Sequence, residues 1–388
     1  MRHFAPLLLL SSLVAQTPTP KVPTFHLPAG EYPVLQLLQQ AELAVRAPIR
    51  SKDAGDLTTA APIRLQCDLA LPEQAWEDVL GALLATRDLV LVRDAESKGH
   101  EVLAVPNGPT DWVQERALPM SLQQLFERPA YAGPVRLVVV STTSSNLMTN
   151  MLRPYFALSK EAFSLVAVDG GLQLVGLADT VRFATATIAS VAPDVASALP
   201  ARATPPWPRV ASTTVHRLEP GDHTTVQIVD RLAKALRRNI VVAPAIATAA
   251  TPIAVAEAIE GNDDSFEDQL TSLLWTAHVL VLQVSGPHGL YQAVRAEPRS
   301  WPTSSRAQEL SAAELMARPA LVAWVTSTPA PGSLSQPEML GVVRAAMGAG
   351  APSSLTAGTT NDGGMRLTGL STDVAKVLLG LEQKKAAK

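Results

Sequence analysis

The chain repeats itself at a nearly constant spacing of 190 residues, and this repeat restricts its fold more than any other feature. Trp76-Glu77-Asp78 matches Phe266-Glu267-Asp268, and Arg128-Pro129-Ala130 matches Arg318-Pro319-Ala320 at the same spacing. Several matches in one order at one spacing indicate a tandem duplication. Whatever fold the first half adopts, we expect the second half to adopt as well.

Each half divides again, because the stretches Pro106–Pro119 and Glu297–Leu310 interrupt the apolar periodicity at equivalent points. We therefore predict an α+β fold of four small modules in the order X1, Y1, X2, Y2, each with helices packed on one face of a small mixed sheet. The predicted segments are residues 1–16 (signal peptide), 22–106 (X1), 116–193 (Y1), 194–212 (an extended, Pro-rich linker), 213–297 (X2) and 308–385 (Y2).

Both X modules begin with a short strand, a glycine turn at Gly30 or Gly221, and an amphipathic helix. Apolar residues at i, i+3, i+4 and i+7 predict the buried side of that helix. A β-branched run, a further strand, a second helix and two closing strands follow. The predicted buried stripes of the first helices are Val34, Leu37, Leu38 and Ala41 in X1, and Val226, Val229, Ala233 and Leu236 in X2.

The pattern of both Y modules predicts a strand, a helix, a two-stranded hairpin and a closing helix. The first strand is expected at Val135–Val140 or Leu321–Thr326, and the following helix of Y1 is expected to bury Leu147. Asp169-Gly170-Gly171 and Asp362-Gly363-Gly364 are the predicted hairpin turns, because such turns require positive φ angles that glycine adopts readily.

The first sixteen residues have the pattern of a secretory signal peptide. Arg2 precedes an apolar run from Phe4 to Val14, which is too short to cross a bilayer as a mature helix. Cleavage is expected near residue 15 or 16, and no later segment is apolar enough to span a membrane. The sequence thus predicts export, to the periplasm in a bacterium, with no direct membrane span.

The composition excludes several classes of function. The net charge of -3 argues against a broadly basic nucleic-acid-binding protein, and the aromatic content of 4 % argues against a base-stacking surface. Cys67 is the one cysteine, so neither an intramolecular disulfide nor a cysteine-rich metal site can form. We expect Cys67 to be a small buried residue on a strand.

The charged candidates for chemistry have structural explanations. None of the seven histidines has the paired spacing of metal ligands, and His26 and His216 occupy the same strand position in X1 and X2. Asp222 is predicted to cap a helix. The remaining acidic residues precede or begin helices, where they would stabilise the N-terminus rather than act as acid and base: Glu73, Glu77 and Asp78 in X1, and Asp263, Asp264, Glu267 and Asp268 in X2.

The uncharged candidate residues also lack the sequence context of a catalytic or phosphate-binding site. Ser141, Ser144 and Ser145 lie in a predicted loop without the glycines of a nucleophile elbow. Gly348-Ala349-Gly350 has neither a preceding strand nor the Lys-Ser/Thr of a phosphate loop. We therefore predict no catalytic, cofactor-binding or metal-binding residues, and a protein that is not an enzyme.

The module patterns resemble a known family. In X2, the helix Val226–Leu236, the run Asn239-Ile240-Val241-Val242-Ala243-Pro244 and the helix around Phe266-Glu267-Asp268-Gln269-Leu270 resemble the N0 (secretin and TonB short N-terminal) domain of bacterial secretins. In Y1, a helix near Leu147–Tyr155 and the strand Leu172-Gln173-Leu174-Val175-Gly176 look like the KH-like N1 domain that follows N0. Neither Y module has the G-x-x-G loop with which true KH modules bind nucleic acid.

The resemblance implies stacked periplasmic rings that contact inner-membrane machinery. Secretins continue into an outer-membrane β-barrel, and we expect this chain to carry the N-type modules without that gate. The expected function is a non-enzymatic scaffold or ring component of a secretin-type system, such as type II secretion or a type IV pilus, whose partners are further copies of itself or a secretion protein. The alternatives are a monomeric adaptor that captures a peptide by strand addition at an X-module edge and, with less support, an enzyme.

Overall fold

The structure is a computed structural model, and it describes residues 24–51, 54–72, 75–94, 99–105, 111–128, 130–156, 163–189, 192–199, 214–248, 252–285, 289–296, 306–329, 332, 334–347, 354–359 and 365–387. The predicted signal peptide lies outside these residues, as do most of the predicted linker, Glu73, the glycine stretch 348–350 and the predicted Y2 turn 362–364.

X1 consists of short strands in three small sheets, with its main helices packed on them. Its elements are β1 (Thr24–Leu27), β2 (Gly30–Tyr32), α1 (Val34–Val45), β3 (Ile49–Ser51), α2 (Ala54–Thr59), β4 (Ile63–Leu65), β5 (Leu69–Pro72), α3 (Trp76–Ala85), β6 (Leu89–Arg93) and β7 (His100–Ala104). β1 pairs with β5 and β2 with β4, both antiparallel. The third sheet has the order β3-β7-β6, with β3 parallel to β7. Every residue of the predicted α1 stripe is buried.

Y1 is built around one four-stranded sheet with helices against its inner face. Its elements are α4 (Asp111–Arg116), β8 (Leu118–Pro119), α5 (Leu122–Glu127), β9 (Pro134–Val140), α6 (Ser145–Phe156), β10 (Phe163–Val168), β11 (Gly171–Leu177), α7 (Ala178–Ala189) and α8 (Pro193–Ala198). The sheet has the order β10-β11-β9-β8. The alternating Val135, Leu137 and Val139 of β9 point into the core, where they meet Leu172 and Leu174 of β11.

X2 repeats the architecture of X1. Its elements are β12 (His216–Leu218), β13 (Gly221–His223), α9 (Thr225–Ala235), β14 (Asn239–Val242), α10 (Pro244–Ala247), β15 (Ile253–Val255), β16 (Ile259–Gly261), α11 (Asp263–Thr276), β17 (Val279–Ser285) and β18 (Leu290–Arg295). β12 pairs with β16, β13 with β15, and the third sheet has the order β14-β18-β17 with β14 parallel to β18.

Y2 repeats the sheet of Y1. Its elements are β19 (Gln308–Glu309), α12 (Ala312–Met316), β20 (Trp324–Ser327), α13 (Gln336–Met347), β21 (Thr356–Thr359), β22 (Met365–Leu370) and α14 (Ser371–Ala386). The order β19-β20-β22-β21 corresponds strand for strand to that of Y1. The chain therefore has the predicted α+β fold of small modules.

X1 and X2 have the same backbone conformation even at positions with unusual φ angles. Arg46 and Arg237 follow α1 and α9 with φ angles of 54° and 52°, and Asp88 and His278 follow α3 and α11 with φ angles of 56°. Left-handed conformations are uncommon for residues other than glycine, so two matched pairs of them indicate the same local geometry. The pairs are spaced by 191 and 190 residues, and these spacings identify equivalent positions in X1 and X2.

Several predicted positions differ from the structure. Cys67 lies in the bend between β4 and β5, not on a strand. Asp222 lies in β13, and Thr224 caps α9 instead, by accepting from the Gln227 backbone N–H. The Gln227 side chain returns a bond to the Thr224 N–H, which completes a capping box that a Thr-x-x-Gln pattern signals.

On two helices, the buried residues differ from those that the periodicity predicts. Ile228, Val229 and Leu232 are buried on α9, whereas Val226 and Leu236 are only half-buried. On α6, Met148 is fully buried and Leu147 is 46 % exposed. Adjacent apolar residues allow two stripes that differ by one position, so periodicity could not choose between them.

Two predicted boundaries also move. The first strand of Y2 is Trp324–Ser327 rather than 321–326. The predicted linker begins with helix α8, whose Val195 is buried in the Y1 core. Proline is tolerated at the first position of a helix because the N–H that it lacks would have no partner within the helix. Pro193 is therefore compatible with the start of α8.

The Y1 hairpin turn allows a direct test. Gly170 has a φ of +74°, and a Cβ on Gly171 would collide with the Val139 carbonyl oxygen, whereas a Cβ on Gly341 in α13 meets nothing. We predict that Gly170→Ala lowers the free energy of unfolding by about 1 kcal/mol and that Gly171→Ala lowers it further. Gly341→Ala, the control, should raise it by up to about 1 kcal/mol. Urea unfolding followed by circular dichroism measures all three, and a neutral Gly171→Ala would contradict the described turn.

Candidate functional site

An arginine joint connects X to Y in each half of the chain. In the first half, Arg128 donates from Nε to Asp78 Oδ2 at 3.0 Å and from Nη2 to Asp78 Oδ1. In the second half, Arg318 donates from Nε to Asp268 Oδ1 at 2.8 Å and from Nη2 to Glu267 Oε2 at 2.9 Å. These are the residues of the matched tripeptides. The strongest repeat in the sequence is therefore the contact that fixes each Y module against its X module.

The joint of the second half is more deeply buried. The Arg318 side chain is 8 % exposed, against 32 % for Arg128. Glu267 also accepts from Arg238 Nη1 at 2.9 Å, so two arginines and two carboxylates form one buried network. A buried network of this kind fixes geometry strongly, because any unpaired member would be a desolvated charge.

Glu77, Asp78, Asp263 and Asp264 lie in the first turns of their helices as predicted, whereas Glu267 and Asp268 do not. Asn262, not an acidic residue, caps α11 by accepting from the Ser265 backbone N–H at 3.0 Å. Asp263 lies 2.7 Å from His216 Nε2, while Glu267 and Asp268 lie in the second turn of the helix and bind arginines. The prediction that these two stabilise the helix start is wrong.

The joint could have been found from the sequence. The acidic tripeptide and the Arg-Pro-Ala tripeptide both recur at 190 residues, so the distance of 50 residues between Asp78 and Arg128 is the same as that between Asp268 and Arg318. Because an acidic residue and an arginine recur at the same separation in both halves, the sequence indicates that they form an ion pair.

One pocket of about 370 Å³ lies in X1 and contains titratable groups. Trp76, Glu77, Arg93, Asp94, Gly99 and His100 line it. Glu77 accepts from Arg93 at 2.7 and 2.9 Å, and His100 Nε2 lies 3.5 Å from its carboxylate. Burial acts to raise the pKa of Glu77, but contacts with His100 and Arg93 outweigh it and lower the pKa to about 2. A carboxylate held so strongly in its charged form is a poor general base near neutral pH.

The other candidate residues have structural partners. His26 and His216 lie on the first strands of their modules as predicted, beside Asp68 at 3.7 Å and Asp263 at 2.7 Å. The Ser141 hydroxyl donates to Asp194 Oδ1 at 2.8 Å, which ties the loop after β9 to helix α8. In the part of the chain that the structure describes, no group of three His, Cys, Asp or Glu side chains could hold a metal ion.

Y1 presents an apolar surface that the sequence analysis did not single out. Val138 and Val140 on β9 and Val166 on β10 point away from the core and are 49 %, 71 % and 51 % exposed. The strand register places Val138 and Val166 on either side of Gln173 of β11. We call these three residues the valine face. Alternation along β9 could have indicated it, since Val138 and Val140 occupy positions where a solvated strand carries polar residues.

The sheet of Y2 is covered at one end of its outer side, at positions that correspond to Pro134 and Leu177 of Y1. Trp324 and Leu370 of Y2 are buried in one cluster with Leu280 and Leu282 of β17 in X2. In Y1, helix α4 covers only one end of the sheet, where the Gln114 carbonyl accepts from Arg136. The valine face lies at the other end of that outer side.

The valine face adjoins an open sheet edge. β10 is the outermost strand of its sheet, and no other strand in the described ranges pairs with its far side. Its sequence, Phe-Ser-Leu-Val-Ala-Val, is rich in β-forming residues. An exposed apolar edge of this kind is a favourable place for another chain to bind.

Comparisons with known proteins give one kind of match. No protein-family model matches the chain, and no curated protein matches it. Four chains of solved structures match. One belongs to the crystal structure of the GspC-GspD complex from the type II secretion system of enterotoxigenic Escherichia coli, with 11 % identity, a TM-score of 0.20, and coverage of 45 % of this chain and 99 % of that one. No helix in the described residues is long and apolar enough to cross a membrane.

The two joints should differ in strength. We predict that Arg318→Ala lowers the free energy of unfolding by about 3–5 kcal/mol, because it leaves buried carboxylates unpaired. Arg128→Ala should cost about 1–2 kcal/mol, since water can partly replace the lost bonds. Arg344→Ala, at an exposed position of α13, is the control and should be nearly neutral. Urea unfolding measures the series, and equal losses at residues 128 and 318 would contradict the difference in burial.

Glu77 should make stability depend on pH in the acid range. Because its pKa falls from 4.5 to about 2 on folding, its ionised form stabilises the fold above pH 4.5, and this contribution is lost as the pH falls toward 2. The contribution corresponds to about 3 kcal/mol. We predict that Glu77→Gln is destabilised at pH 7 and that the gap to the unsubstituted protein narrows below pH 4. Urea unfolding at a series of pH values tests this, and a constant gap would contradict it.

Proposed function

We propose that this chain is a non-enzymatic periplasmic scaffold that belongs to a secretin-type export or pilus assembly and binds its partners through module surfaces. The observation that carries the proposal is the valine face beside the open edge of β10. Three exposed valines on one sheet face lower the solubility of a protein unless another surface covers them at least part of the time. The resemblance of X2 and Y1 to secretin N0 and N1 domains supports the pathway.

The joints between modules support a scaffold role. Arginine joints fix X1 to Y1 and X2 to Y2, and Arg306 crosses between the halves by donating from Nε to Asp179 of α7 at 3.0 Å. A stable protein interface buries about 1,600 Å² in total, about 800 Å² from each partner, which is a large part of the exposed face of one small module. Modules held at fixed angles can present one combined surface, and they bind with a smaller entropy loss than flexibly tethered ones.

Co-purification from the envelope of the native organism tests the proposal. The tagged chain should retain a secretin or an inner-membrane secretion protein, identified by mass spectrometry after crosslinking. Val140→Lys and Val166→Lys should each reduce recovery about tenfold, a loss of about 1.4 kcal/mol of binding. Leu379→Lys is the matched control, because Leu379 is similarly exposed, at 46 %, on α14 of Y2.

The possible outcomes of this experiment distinguish the candidate functions from one another. Recovery of secretion proteins that survives Val140→Lys and Val166→Lys would show that the valine face is not the binding surface. Recovery of no secretion protein would contradict the proposed function. Turnover of a substrate that is abolished by Glu77→Gln or His100→Ala would contradict the non-enzymatic role.

A monomeric peptide-binding adaptor is the second candidate. The sequence predicts strand addition at an X-module edge, but the outer strand β3 of X1 has only three residues. β10 has six residues and lies at a sheet edge, so it is the better place for an added strand. This candidate gains support if the chain binds extended peptides and retains no secretion protein.

A further inference from the structure

X1 and X2 are joined by a contact between unlike surfaces. The Gln66 carboxamide pairs with the backbone of Ile240 in β14: Nε2 donates to its carbonyl at 3.0 Å, and Oε1 accepts from its N–H at 2.9 Å. The Cys67 N–H donates to Asn239 Oδ1 at 2.9 Å, and Arg87 Nη1 donates to the Val242 carbonyl at 3.2 Å. We call this contact the X1–X2 seam.

Charge and apolar burial complete the seam. Arg64 of X1 lies 2.9 Å from Asp230 of α9. Val241 of β14 is fully buried and belongs to the hydrophobic cluster of X1. The Cys67 Sγ donates to the Arg238 carbonyl at 3.8 Å, which lies next in the chain to Arg237. Burial and Asp68 raise the pKa of the Cys67 thiol, while the charges of Arg237 and Lys234 act against them.

The seam uses one surface from each module. X1 contributes its loop surface, which consists of Arg64, Gln66, Cys67 and Arg87. X2 contributes its helix surface, which consists of Asp230 and Lys234 on α9, Arg237 after it, and the outer strand β14. Since the modules are repeats, X2 has its own loop surface and X1 its own helix surface, and the seam uses neither of them.

Equivalent positions define these two remaining surfaces. At the 190-residue spacing, the loop surface of X2 consists of Ala254, Ala256, Glu257 and Ala277, which correspond to Arg64, Gln66, Cys67 and Arg87. At the 191-residue spacing, the helix surface of X1 includes Gln39, Leu43 and Arg46, which correspond to Asp230, Lys234 and Arg237, together with the outer strand β3.

The two remaining surfaces complement each other. The loop surface of X2 has small apolar alanines where that of X1 has long polar side chains. The helix surface of X1 carries Leu43, which is 80 % exposed, where that of X2 has a lysine. Glu257 takes the place of Cys67 and Arg46 that of Arg237, so the same docking geometry brings opposite charges together.

We propose that copies of this chain assemble head to tail, with the loop surface of X2 in one copy docked on the helix surface of X1 in the next. The contact repeats the geometry of the X1–X2 seam, with Leu43 against alanines and Glu257 beside Arg46. This names a partner for the scaffold and rests on that proposed function. A contact between unlike surfaces does not close on itself as a two-fold dimer does, so it produces a ring or a filament.

Sedimentation velocity of the purified full chain over a wide concentration range tests this inference. The chain should form species larger than a dimer as concentration rises. Leu43→Glu should weaken association about tenfold, equivalent to about 1.4 kcal/mol, whereas Leu379→Glu on α14 should leave it unchanged. Urea unfolding of each variant establishes that it is folded.

A charge exchange tests the register of the contact. Arg46→Glu and Glu257→Arg should each weaken association, and the double variant should recover most of it, because the pair is reversed rather than removed. A chain that stays monomeric at every concentration, or a double variant no better than the single ones, would overturn the inference.

This result can be told apart from a failure of the proposed function. Val140→Lys should reduce recovery of secretion proteins about tenfold and leave self-association intact, because the valine face lies on a different module. A monomeric chain that still retains secretion proteins would overturn the head-to-tail contact and leave the scaffold function standing. A chain that assembles head to tail but retains no secretion protein would support the head-to-tail contact and overturn the scaffold function.

Discussion

The architecture depends on an arginine that reaches from the start of each Y module to a carboxylate on helix α3 or α11 of its X module. Arg128 and Asp78 form this joint in the first half, and Arg318 and Asp268 form it in the second. A guanidinium bound through two nitrogens fixes direction as well as distance, which a single ammonium would not do. The orientation of each X–Y pair, and with it the surface that each pair presents, follows from this contact.

The two halves keep the same joint but differ in their outer surfaces. The Y1 sheet carries Val138 at an exposed outer position where the Y2 sheet carries Thr328, which is also exposed. The same divergence appears in the X modules, where Gln66 has become Ala256 at the equivalent position. The duplication has thus kept the internal contacts and allowed the external ones to specialise.

The sequence predicts the order of the longer elements because apolar periodicity and the 190-residue repeat report on burial, which is a local property of each element. It misses the shortest elements, among them the strands β2 and β13 and the helices α2 and α10, which are too short to show a period. It includes Val226 and Leu236 in the α9 stripe and omits Ile228 and Leu232, because all four residues are apolar. It assigns Glu267 and Asp268 to the helix start, because the arginines that bind them lie 29 to 51 residues away. The X1–X2 seam has no sequence signal until the packing is known, whereas the alternation of β9 could have indicated the valine face.

The seam also bears on the order in which the molecule forms. Its contacts join residues up to 174 positions apart, so X1 leaves the ribosome long before X2 exists. In that interval the polar seam side chains of X1, which are Arg64, Gln66 and Arg87, have not yet met their partners. Val241 lies on the module made second and packs into the hydrophobic cluster of X1. A chain that ends before β14 therefore leaves a gap in that cluster, and the apolar core of the first module is completed only when a strand of the third module has been made.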